Sequence, residues 1–150
     1  MDKIDRAIIS LLQNDARLSY RELGERVFLS ANTVAERVRR LVQDKVLQGF
    51  GARVDLAALG LPLHALVDVK LSRDTSAAQF EAAIAAIPGI LEATLMTGSY
   101  DYMLRVACHD QADFVRLVET LRGETGVQDT TSRLILRQVD VHSPLLTAAA

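Results

Sequence analysis

The spacing of apolar residues changes once along the chain, and that change constrains the fold more than any other feature. Over the first forty positions apolar residues recur at helical spacing: Ile4, Ile8, Leu11 and Leu12, then Leu23 and Val27, then Val34, Val38 and Leu41. From Leu63 they alternate. Leu63, Ala65, Val67, Val69 and Leu71 fall on one face of an extended segment. A chain with both periods, separated near Pro62, is read as a helical head followed by a mixed sheet-and-helix body.

The helix starts are marked. Asp2 precedes the first run. Ser19 opens "SYRE", a capping box with Glu22 at the third helical position. Ser30 caps "ANTVAERVRRLVQD". At about 100° per residue, Asn32, Thr33, Glu36, Arg39 and Arg40 oppose the Val34–Val38–Leu41 stripe, with Arg37 on the flank. A short helix, a tight turn and a third helix with polar groups from its first turn make the pattern of a helix-turn-helix, whose last helix reads the major groove. Bases are read by Asn and Thr, phosphates are held by Arg. The competing reading is the solvated face of a plain three-helix bundle. The charge distribution favours DNA: residues 1–53 hold ten Lys/Arg and seven Asp/Glu, whereas the remainder holds seven and twelve.

Residues 46–61 are read as a structured linker, with a strand over 48–54 and a short helical turn over 55–59. Beyond it the expected order is strand 63–71, a helix opened by Ser76 and Gln79 and closed by Pro88 and Gly89, strand 90–96, strand 102–108, a helix capped by Asp110 and ended by "GETG" (123–126), and a strand over 127–141. This is β-α-β-β-α-β, the ferredoxin-like split unit, and the chain as a whole is α+β. Two helices cover one sheet face. The other, with Leu66, Met103 and Ile135, is expected to be buried by a second subunit.

Between the middle strands lies "TGSYDYML". A hairpin accounts for Gly98 and Ser99 but not for Tyr100 and Asp101 at its mouth. Thr130 and Ser132 share one face of the last strand. One cysteine, Cys108, precludes an internal disulfide, and its surroundings in sequence read as a buried structural thiol. His64, His109 and His142 have no metal-ligand spacing. No apolar run approaches the ~20 residues of a membrane span, and the N-terminus does not have the form of a signal peptide. A cytoplasmic protein without metal or cofactor is expected.

"IDRAIISLLQNDARLSYRELGERV", the "LS" and "RVRRL" that follow, and "GFGARVD" resemble the N-terminal half of the Lrp/AsnC regulators; the βαββαβ part with "GSYDYML" resembles their amino-acid-sensing domain. The resemblance runs from Met1 to about Val141. It implies a helix-turn-helix domain at 1–45, the linker at 46–61, a ligand-sensing and oligomerisation domain at 62–141 and a tail at 142–150. It further implies double-stranded DNA as partner, homodimers assembling to higher oligomers such as octamers, and an amino acid or related metabolite as effector. Ser30, Asn32, Thr33, Glu36, Arg37, Arg39 and Arg40 are the DNA candidates. Gly98, Ser99, Tyr100 and Asp101, with Thr130 and Ser132 behind them, are the effector candidates. Two departures stand out: Phe28 and Lys45 occupy positions where the family commonly has glycine. The alternatives are a haem-biosynthetic decarboxylase of related fold, which would need cationic or histidine residues around a large pocket where this chain has few histidines and concentrates its basic residues in the first half, and a stand-alone ligand-sensing module, against which the helix-turn-helix argues.

Overall fold

The structure is a computed structural model, and it describes residues 1–139. It contains two compact units, Met1–Arg53 and Val54–Val139 among the described residues, so the 46–61 linker is shared between them.

The first unit is three helices, α1 (Lys3–Asn14), α2 (Tyr20–Val27) and α3 (Ala31–Gln43). Each begins where the sequence offers a cap. Asp2 and Asp5 form a reciprocal capping box, Ser19 and Glu22 form another, and Ser30 accepts from the Thr33 N–H. Ile8, Leu12, Leu23, Val34 and Val38 form the core, with Leu18, Val27 and Leu29 packed around it. Each such side chain contributes about 1.5–3 kcal/mol by leaving water.

The second unit is β1 (Leu63–Leu71), α4 (Ala77–Ile84), β2 (Ile90–Leu95), β3 (Tyr102–Cys108), α5 (Gln111–Glu124) and β4 (Val127–Leu134). The strands pair antiparallel in the order β2-β3-β1-β4. This is the ferredoxin-like arrangement. Ala65, Val67, Val69, Leu104 and Val106 point to the helices and pack on Phe80, Ile84, Leu117 and Leu121. The opposite face carries Leu66, Met103 and Arg105 together with Asp68, whose carboxylate takes both oxygens' bonds from Arg133 Nη2 at 2.7 and 2.9 Å.

Three expectations need correction. Residues 48–54 form no strand, because an extended segment needs a ladder partner and the described residues of this chain supply none. The 55–59 segment is a turn rather than a helix, closed by Gly60 N–H to Ala57 and Leu61 N–H to Leu56. The last strand stops at Leu134, although Ile135 still donates to His64; Asp140, Val141, His142 and the 142–150 tail lie outside the described residues. Helix α5 also runs through Gly123, and Gly126 (φ +73°) is the residue that turns the chain into β4.

Candidate functional site

The head presents α3 as sequence periodicity orients it. Val34, Val38 and Leu41 are buried, while Asn32, Glu36 and Arg39 are exposed and Thr33 is half-buried. The Ser30 and Thr33 hydroxyls share a hydrogen bond of 2.8 Å, so both are partly committed to holding the first turn.

The three arginines divide. Arg37 Nη1 donates to Asp2 Oδ2 at 2.7 Å and to Asp5 Oδ1 at 2.8 Å, and Arg40 Nη2 reaches Asp5 Oδ2 at 3.1 Å. Asp5 is only 1 % exposed, so α1 is clamped to α3 through a buried carboxylate. Burial pushes the Asp5 carboxyl up, but the Asp2 N–H and the Arg37 guanidinium outweigh it and hold it below its ordinary value. The Asp5 N–H, then Arg37, bring Asp2 down to about 2. Arg37 and Arg40, expected on phosphates, therefore have partners inside the head. Arg39 has none among the described residues.

Both departures from glycine keep the left-handed backbone: Phe28 has φ 57° and Lys45 has φ 56°. The turns bracketing α3 are thus built as glycine would build them, with a steric cost of about 1–2 kcal/mol per residue.

In the second unit the turn 98–101 joins β2 to β3. Gly98 adopts φ +121°, a conformation closed to side chains, and a Cβ there would face open space. No hydrogen bond engages the N–H of Gly98, Ser99 or Tyr100 among the described residues. Asp101 anchors the turn: its N–H donates to Val69, Oδ2 accepts from the Leu71 N–H at 2.8 Å, and Oδ1 accepts from Lys70 Nζ at 3.2 Å. The Leu71 N–H first, and Lys70 with it, keep its carboxyl below the usual range against the effect of burial. Beside it opens a depression of about 630 Å³, lined among others by Lys70, Arg73, Thr75, Leu95, Asp101 and Tyr102. Its Tyr102 phenol donates to Glu81 at 2.6 Å and is held up to about 12 by that bond and by burial.

The effector candidates do not all meet. Tyr100 Oη lies 2.6 Å from Thr131 Oγ1, on the sheet face without helices. Thr130 and Ser132 lie opposite Val69 and Val67, on the helix-covered face, and the Thr130 hydroxyl accepts from Arg122 Nε at 2.9 Å. Thr131, passed over in the sequence, is the residue of β4 that joins the turn. "DTTS" is hydroxylic at both parities, so only the pairing with β1 decides which side chain goes where.

Among the described residues no group of three or more His, Cys, Asp or Glu is placed to hold a metal ion, and no helix is long and apolar enough to cross a membrane.

Residues 1–42 match the AsnC-type helix-turn-helix domain, and residues 64–145 match the Lrp/AsnC ligand binding domain. The Bkd operon transcriptional regulator of Pseudomonas aeruginosa is 37 % identical over 146 residues, covering 95 % of each chain. The leucine-responsive regulatory protein of Salmonella typhimurium is 36 % identical over 142 residues, covering 93 % of this chain and 87 % of its own. A Neisseria meningitidis transcriptional regulator in complex with L-Met superposes with a TM-score of 0.88 at 30 % identity, over 97 % of this chain and 96 % of that one. These similarities favour neither the decarboxylase nor the stand-alone module. An intact reading head, a βαββαβ sensor and relatives of nearly equal length lead to one conclusion: this chain belongs to the Lrp/AsnC family and is a DNA-binding, ligand-sensing transcriptional regulator.

Proposed function

We propose that the protein regulates transcription in the cytoplasm, without catalysing a reaction, as a homo-oligomer of dimers that responds to a free α-amino acid at the turn 98–101. The observation that carries this reading is the turn itself. The N–H groups of Gly98, Ser99 and Tyr100 lack internal acceptors, while the Asp101 carboxylate braces the turn from below. Free N–H donors suit an α-carboxylate, and the remaining lone pairs of Asp101 suit an ammonium. The complex of the Neisseria regulator with L-Met supports an amino acid as the ligand class.

The uncovered sheet face, with Leu66 and Met103 beside the Asp68–Arg133 pair, is the surface a second copy would bury. An octamer would then be dimers joined near the turn. On DNA, Asn32, Thr33 and Glu36 face the bases and Arg39 a phosphate, with Ser30 holding the helix start and Arg37 and Arg40 holding the helix to α1. Thr131 replaces Thr130 and Ser132 as the β4 contribution to the turn.

A thermal-shift screen of the full-length protein against the twenty amino acids tests the effector reading. At least one should raise the melting temperature, and Asp101→Asn should weaken that response at least tenfold while Ser132→Ala leaves it unchanged. A flat screen, or an undiminished response in Asp101→Asn, would remove the basis for it.

A further inference from the structure

Phe28 combines two costs that nothing in the free head repays. Its backbone is left-handed, φ 57° and ψ 44°, a genuine outlier for a bulky side chain. Its side chain is 92 % exposed, so the ring packs on nothing within the head. Backbone outliers of this kind concentrate at functional sites.

The position says which function. Phe28 is the C-cap of α2, two residues before Ser30, the N-cap of α3. The first turn of α3 is polar, with Ser30, Asn32 and Thr33. Asn32 and Thr33 offer hydrogen-bonding groups to a target, and Ser30 holds the helix start. A phenyl ring offers only dispersion and the exclusion of water, and the apolar feature of the major groove is the thymine 5-methyl group.

We propose that Phe28 packs against a thymine methyl at the edge of the half-site when α3 enters the major groove, adding a thymine preference next to the bases read by hydrogen bonding. The inference rests on α3 being the reader, as proposed above.

The test uses the full-length protein. A duplex recovered from a randomised library by the wild type is titrated with the wild type, Phe28→Gly, Phe28→Ala and Asn32→Ala. Each thymine of the half-site is then replaced in turn by deoxyuridine, which lacks only the methyl. Phe28→Gly should raise the melting temperature, because glycine takes the left-handed conformation freely, yet bind about tenfold more weakly, within the range of one lost base contact. Phe28→Ala should bind as weakly without the gain in melting temperature. Deoxyuridine at one thymine per half-site should weaken the wild type and leave both Phe28 variants unaffected. Opposite signs for stability and affinity separate a lost contact from a damaged fold.

Unchanged affinity in both Phe28 variants would overturn the proposal, as would equal sensitivity to deoxyuridine in all proteins. A loss of affinity that follows a smaller sedimenting assembly would overturn it too, placing Phe28 between copies of the chain. If Asn32→Ala also leaves binding unchanged, the reading of α3 itself fails; if only the Phe28 variants are silent, the failure belongs to Phe28 alone.

Discussion

Replacing Asp5 by alanine removes the carboxylate on which α1 and α3 meet. Asp5 accepts from Arg37, from Arg40 and from the Asp2 N–H, and it is almost wholly buried. The lost capping-box bond costs about 1 kcal/mol. Removing one partner of a fully buried ion pair costs about 3–5 kcal/mol, most of it from the charge left stranded. Here the stranded groups reach water: the Arg40 side chain is 55 % and the Arg37 side chain 22 % exposed, and Arg37 retains Asp2. That part of the cost falls to about 1–2 kcal/mol, for a total of about 2–3 kcal/mol. At about 4–8 °C per kcal/mol for a unit of this size, the melting transition of the head should fall on the order of 10–20 °C in calorimetry of the full-length protein.

The same carboxylate sets an acid limit. Its folded value lies below its unfolded value, so its contribution is complete above the unfolded value of about 4 and is lost as pH falls through the folded one. Head stability should therefore be level from about pH 5 to 8 and decline below about 4, with a shallower decline in Asp5→Ala. A variant that melts within 2 °C or so of the wild type and binds DNA more tightly would refute the clamp. Asp5 would then merely repel phosphates that Arg37 and Arg40 hold.

Lys45→Gly should raise stability by about 0.5–1 kcal/mol, because glycine takes φ 56° without the side-chain clash; a higher urea midpoint at unchanged slope checks it. Gly126→Ala should cost at least about 2 kcal/mol, since the residue has φ +73° and a Cβ would strike the Thr75 side chain. Gly123→Ala, in helix α5 with open space around the position, should gain up to about 1 kcal/mol in the same denaturation series.

The elements that proved legible carry their signals locally. Asp2, Ser19, Ser30, Ser76 and Asp110 all act as N-caps, and a cap is a bond over three residues. Alternation from Leu63 to Leu71 gave β1 because every second residue enters one core. What the sequence left out depends on distant partners. An extended look at 48–54 says nothing about whether a strand lies alongside. A helical wheel gives the direction of Arg37 and Arg40 but not Asp5, more than thirty residues away. The turn 98–101 was recognisable by its glycine and its odd neighbours. That Asp101 braces it through Leu71, and that Thr131 meets Tyr100, follow from strand register, which local sequence does not encode.

The inward commitment of Arg37 and Arg40 has a consequence for how the regulator finds its sites. Each phosphate neutralised adds about 0.9 to the slope of log affinity against log salt. A head that keeps Arg37 and Arg40 on its own carboxylates neutralises fewer phosphates, and would hold bulk chromosomal DNA more briefly than one that turned them outward. Such a head would exchange faster among the ~10⁶ or more competing sequences of a genome. In the proposed oligomer, residence at a true operator would then depend on joining heads together, because a second head tethered to the first faces its half-site at an effective concentration that can reach millimolar. In the assembly proposed above, occupancy would rise steeply with the number of copies joined, and an effector acting where copies meet would redirect the protein along the chromosome without touching the helix proposed to read it.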